Sequence, residues 1–204
     1  MTPLTVAIQA GGKSSRMGTD KSFVPFNGRP LIEVVIDAVR GLGDELILIT
    51  NKPQAYAHLG LPMYGDLYPE TGPLGGIYTA LYNAEHPHLL TVACDMPWLN
   101  RPLLEYMAGL RGTADVIVPR WDKYPEPLHA LYSQACLEPI REKLVAGQYK
   151  ITAFFGRVSI RFVDRAEIER FDPMGRSFVN VNTPEELAAR EEKDSTGSRA
   201  SDGR

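Results

Sequence analysis

The residues best suited to chemistry open with one polar loop. Residues 9–21 read Gln9-Ala10-Gly11-Gly12-Lys13-Ser14-Ser15-Arg16-Met17-Gly18-Thr19-Asp20-Lys21. Glycines present backbone N–H groups to an anion with no Cβ in the way. Lys13, Arg16 and Lys21 add three cations within nine residues. Close amides with a few movable positive charges suit a triphosphate; an exposed basic loop is the plainer alternative. Gly12-Lys13-Ser14 imitates the end of a phosphate-binding P-loop. The first glycine of that motif would fall at Ala7, inside an apolar run, and no helix pattern follows Ser14, so the P-loop reading is set aside.

A second candidate is Asp95, in Ala93-Cys94-Asp95-Met96-Pro97 at the end of an apolar run. Open α/β sheets bind ligands beyond the carboxyl ends of their strands. A carboxylate there, facing a glycine- and lysine-rich loop, suits Mg²⁺, which takes one or two carboxylates and fills its remaining positions with water and phosphate oxygens. An aspartate before a proline also caps helices. Gly72-Pro73-Leu74-Gly75-Gly76 reads as a glycine loop opening a helix, either holding a ligand against free amides or allowing tight packing. Asn51 and Asp66 each end a strand at the same expected edge, where both types also form turns. Asn180 and Asn182 fall on one side of an extended segment. The four histidines show no metal-ligand spacing, and His86 and His88 read as a surface loop. Trp98 and Trp121 read as packing residues. No Gly-x-Ser-x-Gly elbow is present, and Cys94 directly follows an apolar strand, which leaves no cysteine nucleophile.

The elements that must position these residues follow from periodicity. Strands are predicted over 4–8, 45–50, 63–64, 89–93, 115–118, 128–132, 159–163 and 178–181. Helices are predicted over 31–40, 54–59, 77–84, 101–110 and 136–146, with a polar, proline-flanked excursion at 120–127 between two strands. Thr183-Pro184, with Glu186 three residues after Thr183, forms a capping box that starts one more helix. The alternation implies an α/β fold with a mostly parallel sheet and helices on both faces. At 204 residues, 44% hydrophobic and 23% charged, the chain reads as one domain over 1–189. Residues 190–204 form a polar tail, expected to be disordered because it has too little apolar surface to offset its ordering entropy.

Composition excludes several classes. A net charge of −3 argues against a nucleic-acid binder working by bulk positive charge. The two cysteines, Cys94 and Cys136, form neither a disulfide scaffold nor a cysteine zinc site. The N-terminus lacks a signal-peptide pattern, and no apolar run approaches the ~20 residues of a membrane span. A soluble cytoplasmic protein with no membrane partner is expected.

Taken in order, four motifs resemble the MobA-type molybdenum cofactor guanylyltransferase family: Ala10-Gly11-Gly12-Lys13-Ser14-Ser15-Arg16-Met17-Gly18-Thr19-Asp20-Lys21, then Gly72-Pro73-Leu74-Gly75-Gly76, then Cys94-Asp95-Met96-Pro97, then Asn180-Val181-Asn182-Thr183-Pro184-Glu185-Glu186-Leu187. The likeness spans roughly residues 4–190. The Ala-Gly-Gly form and the Asn-x-Asn-Thr-Pro segment resemble the guanylyl branch, whereas cytidylyl relatives usually show Ala-Ala-Gly. The resemblance implies a three-layer α/β/α nucleotidyltransferase fold and transfer of GMP from GTP to molybdopterin or Mo-molybdopterin, with release of pyrophosphate. It implies that GTP lies over Gln9, Ala10, Gly11 and Gly12, that Lys21 and Arg16 hold phosphates, and that Asn51, Asp66, Gly75 and Gly76 lie toward guanine and ribose. It further implies Asp95 as the Mg²⁺ ligand, Asn180 and Asn182 as pterin-positioning residues, and a molybdopterin-delivering protein as a candidate partner. The chain departs from the family at Gln9, commonly leucine, and at Glu126, an acid near the expected second substrate. The rival readings are a cytidylyl- or sugar-phosphate nucleotidyltransferase of the same fold and a non-catalytic GTP-binding accessory module.

Overall fold

The computed structural model describes residues 3–11 and 21–181. The first strand, β1 (Leu4–Gln9), is buried along its whole length. Two short strands, β2 (Pro25–Phe26) and β3 (Arg29–Pro30), form a small hairpin. Asn27 and Gly28 turn it with φ of 47° and 77°, the left-handed pair that a two-residue hairpin needs. Six further strands complete the main sheet: β4 (Glu45–Ile49), β5 (Met63–Tyr64), β6 (His88–Ala93), β7 (Val116–Arg120), β8 (His129–Ser133) and β9 (Ile160–Asp164). Their order is β5-β4-β1-β6-β8-β7-β9. All neighbours pair in parallel except β8, which runs antiparallel to both β6 and β7.

Strand alternation divides the core into two halves. Leu4, Val6 and Ile8 of β1 face one side, with Ile32, Val35, Ile36 and Val39 of α1 (Leu31–Val39) and the apolar face of α4 (Arg101–Gly109). Ala7 faces the other, with Leu74, Ile77 and Leu81 of α3 (Pro73–Asn83) and Ile140 and Leu144 of α5 (Leu137–Val145). Two one-turn helices, α2 (Pro53–Tyr56) and α6 (Arg165–Ile168), complete the set. The result is the expected three-layer α/β/α fold. No helix among the described residues is long and apolar enough to cross a membrane.

Three local expectations are corrected. Gly75 and Gly76 do not lie in a loop before the helix. Pro73 takes an early helical position, where its missing N–H costs nothing, so α3 starts four residues sooner and carries both glycines. Residues 178–181 make no strand: Arg176–Phe178 is a 3-10 turn, and the Val181 N–H goes to the Asp95 carbonyl at 2.9 Å. His88 is not on a surface loop but is the half-buried first residue of β6. The helix starting at Thr183, the polar tail and the end of the 1–189 unit lie outside the described residues.

His129, at the start of β8, is fully buried, and neither ring nitrogen has a hydrogen-bond partner among the described residues. Its ring meets Phe178 edge-on at 5.1 Å. Burial holds its pKa down to about 4 from an ordinary 6.5, against a smaller opposing pull from Asp172. Between those values the unfolded chain binds the proton and the folded chain does not, so this site loses stability as pH falls. The melting temperature of the wild type should therefore drop faster from pH 6.5 to 4 than that of His129→Leu, as melting curves across that range will show.

Candidate active site

Four parallel strands deliver their last residues to one edge of the sheet. Gln9 is level with Ile49 of β4 and with Ala93 of β6. The next residues stay in the ladder: Ala10 N–H donates to the Ile49 carbonyl at 2.9 Å, Cys94 N–H to the Gln9 carbonyl at 3.1 Å, and Thr50 N–H to the Tyr64 carbonyl at 2.9 Å. One step beyond, Gly11, Asn51, Asp66 and Asp95 line the edge.

Asn51 and Asp66 hold each other. The Asn51 carboxamide donates to the Asp66 carboxylate at 2.8 Å and accepts the Asp66 backbone N–H at 2.8 Å. Asn51 stays exposed and Asp66 is half-buried. Thr79 of α3 accepts the Leu67 N–H at 3.0 Å and donates to the Gly75 carbonyl at 2.9 Å. The loop carrying Asp66 is thereby fastened to the start of α3.

The glycines of that helix serve close packing. A Cβ on Gly75 would lie 2.1 Å from the Thr71 hydroxyl and 3.0 Å from the Tyr68 carbonyl. A Cβ on Gly76 would lie 2.1 Å from Oε1 of Gln9. The Gln9 side chain, 8% exposed, therefore fills the space beneath α3, and its Nε2 donates to the Thr91 hydroxyl at 3.2 Å.

Asp95 is the electrostatic centre of this edge. Its Oδ1 is buried and without a hydrogen-bond partner among the described residues. Burial raises its pKa above the usual carboxylate value, opposed by its own backbone N–H and by the nearby Lys21 charge. Lys21 opens the 3-10 turn Lys21–Phe23. That turn is pinned from below: the Tyr56 hydroxyl donates to Ser22 at 2.9 Å, and the Ser22 hydroxyl donates to the Cys94 sulfur at 3.2 Å. Phe23 stacks on Tyr56 with ring centres 5.0 Å apart. A buried, unpartnered carboxylate oxygen beside an ammonium, at a ligand-binding edge, fits a divalent cation that takes most of its ligands from phosphates and water.

Asn180 is exposed and directly precedes Val181, which the Asp95 carbonyl holds. Thus Gln9, Ala10, Gly11, Lys21, Asn51, Asp66, Gly75, Asp95 and Asn180 gather at one end of the molecule. Gly12, Arg16 and Asn182 lie outside the described residues.

Sequence reading missed a cleft of about 770 Å³ lined by Arg120, Lys123, Tyr124, Lys150, Phe155 and Phe162. β7 runs in the same direction as β6, so Arg120, its last residue, reaches the Asp95 edge. The Arg120 guanidinium lies 4.7 Å from the Phe162 ring centre and bonds Asp164 at 2.7 Å. The Lys123 ammonium sits 5.5 Å from the ring of Tyr124. Nearby, Glu126 has its pKa raised by burial and by the charge of Asp122. Aromatic rings interleaved with cations in the excursion are the available signal, but Lys150 arrives from a segment about thirty residues away.

The profile of the MobA-like NTP transferase domain matches residues 6–161. A probable molybdenum cofactor guanylyltransferase of Clostridium perfringens is 32% identical over 189 residues, covering 91% of this chain and 95% of its own. Another from Carboxydothermus hydrogenoformans is 35% identical over 184 residues, with 90% and 93% covered. Among solved structures, molybdopterin-guanine dinucleotide biosynthesis protein A from Archaeoglobus fulgidus superposes with a TM-score of 0.80 at 27% identity, covering 94% of this chain and 99% of that one. A 4-diphosphocytidyl-2C-methyl-D-erythritol synthase from Anaerococcus prevotii shares the fold alone, with a TM-score of 0.67 at 13% identity over 92% of this chain and 93% of that one.

Proposed function

The chain belongs to the MobA-like NTP transferase family, and we propose that it transfers GMP from GTP to the terminal phosphate of molybdopterin or Mo-molybdopterin. An oxygen of that phosphate attacks the α-phosphorus of GTP. The bond from the α-phosphorus to the bridging oxygen breaks, pyrophosphate leaves, and the guanine dinucleotide form of the cofactor results. The observation that carries this reading is the buried Asp95 oxygen beside Lys21, at the edge where the Asn51–Asp66 pair and the first turn of α3 converge.

The attacking phosphate is already anionic, so the chain need supply no dedicated base. It supplies position and charge. Lys21 steadies the α-phosphate, and Arg16 adds a second cation. Asp95 would hold Mg²⁺, which when bound neutralises charge on the phosphate oxygens. The Asn51–Asp66 pair and Gly75 face ribose and base. The cleft of Arg120, Lys123 and Lys150 takes the acceptor: flat rings match the pterin, and cations its phosphate. Asn180, from the strap beside Asp95, and Asn182 position the pterin. Residues 1–189 act as one nucleotidyltransferase domain.

Thermal shifts with GTP, ATP, CTP and UTP, with and without Mg²⁺, followed by pyrophosphate release with molybdopterin, test this reading. GTP alone should stabilise, by about 2.7 kcal/mol at ~100-fold excess over Kd. A larger shift with CTP or UTP would move the reaction to the cytidylyl or sugar-phosphate relatives. GTP binding with no pyrophosphate released would leave an accessory module. Lys150→Ala should raise KM for the pterin acceptor about tenfold, the worth of one charge-assisted hydrogen bond, with the GTP shift unchanged.

A further inference from the structure

Resting on the guanylyl reading, we infer that Gln9 reads the base: its Oε1 accepts a hydrogen bond from the exocyclic 2-amino group of guanine. The carboxamide stands at the end of β1, on the face covered by α3, among otherwise apolar neighbours. Its Nε2 is committed to Thr91, itself fully buried on β6, and this fixes the orientation of the amide. Oε1 then points under the first turn of α3, into room that only a glycine at position 76 leaves. The donors that could quench it there are spent, since the Gly75 and Gly76 N–H groups both go to the Gly72 carbonyl, at 3.1 and 3.4 Å. No described residue donates to Oε1.

Two backbone acceptors along this edge are taken as well. The Gln9 carbonyl takes the Cys94 N–H, and the Ile49 carbonyl takes the Ala10 N–H. Beside the α3 turn, the Gln9 side chain offers an acceptor that no described residue fills. An oriented acceptor that no described residue fills, on a side chain otherwise buried, is ready to take a donor from a ligand. Among the four common bases, guanine alone carries an amino group at position 2. A site built around one acceptor for that group rejects a base lacking it, because the acceptor is then desolvated and unpaired.

The test compares GTP with ITP, which differs only by the missing 2-amino group. Dissociation constants are measured with Mg²⁺ for the wild type, Gln9→Leu and Thr91→Val. The wild type should favour GTP by about three- to tenfold, the range of one neutral hydrogen bond. Gln9→Leu should bind both nucleotides equally, at the wild-type ITP affinity. Thr91→Val, which frees the carboxamide to rotate, should keep the fold and lose part of the preference; it decides the matter if Gln9→Leu does not fold. Equal weakening of both nucleotides by Gln9→Leu would reduce the residue to a spacer under α3 and overturn the inference, as would a wild type indifferent to the 2-amino group. A wild type that binds neither nucleotide fails one step earlier, at the guanylyl reading itself.

Discussion

Asp95→Asn should lose at least about 10²–10³-fold in turnover, the usual cost of removing one preorganised charge-stabilising group, while melting no lower than the wild type. The two halves of this expectation come from one fact. Burial raises the Asp95 pKa, so ionising that carboxyl costs more in the fold than in the unfolded chain. For an acid with a raised folded pKa, the favourable contribution is full below the unfolded value of 3.8 and is lost as pH rises through the folded one. Asparagine has no such loss. The melting temperature of Asp95→Asn relative to wild type should therefore climb between pH 4 and neutrality. Pyrophosphate release at saturating GTP gives the turnover, and melting curves give the sign. A helix-capping aspartate would behave differently, because asparagine caps as well as aspartate. Near-wild-type turnover in Asp95→Asn would leave Asp95 as a turn former and move the charge of the site elsewhere.

Why Asp95 is legible from the chain alone, and Lys150 is not, is a matter of range. β1, β4 and β6 are buried apolar runs, and the residue after such a run must lie at an edge. Gly11, Asn51 and Asp95 follow from that rule, whereas Asp66, after the half-buried β5, and its mutual bonds with Asn51 do not. The pattern bounds α1 and α4 within a residue or two because their buried faces repeat at helical spacing. Pairing direction leaves no such trace: a buried strand has the same composition whether it runs parallel or, like β8, antiparallel. The second cleft needs Arg120 and Lys150 on neighbouring elements, which local pattern does not encode. Residues 178–181 carry a strand-like composition, but tertiary context wins, since Val181 buries itself beside Trp98, Phe26 and Leu31 and gives its N–H to Asp95. For Gly76 the sequence admits either a ligand contact or tight packing, and the volume beneath it belongs to Gln9.

Gly175→Ala should destabilise the protein by about 2–5 kcal/mol, combining the left-handed penalty of about 1–2 with an overpacking cost of about 1–3. Gly175 has φ of 62°, and a Cβ there would lie 2.2 Å from the Trp121 ring. That ring has no easy retreat, with Phe178 at 6.1 Å and the Arg165 guanidinium 4.4 Å from its centre. The turn around Gly175 is otherwise closely tied. The Asp172 carboxylate accepts the N–H groups of Arg176 and Ser177 at 3.1 and 2.8 Å, and the Ser177 hydroxyl accepts the Asn100 N–H at 3.1 Å. Asn100 caps α4 through a 2.9 Å bond from the Leu103 N–H, so the strain spreads to that helix. From the same turn the chain runs to Asn180 and to the Val181–Asp95 bond. A loss in stability should thus come with weaker acceptor binding, seen as a raised KM for the pterin at unchanged GTP affinity. Gly112→Ala separates the two costs, since Gly112 has φ of 85° and nothing within 4 Å of the place its Cβ would take. It should show the conformational penalty alone, about 1–2 kcal/mol. Equal melting temperatures for the two variants would mean that Trp121 yields freely and that the turn does not anchor the strap beside Asp95.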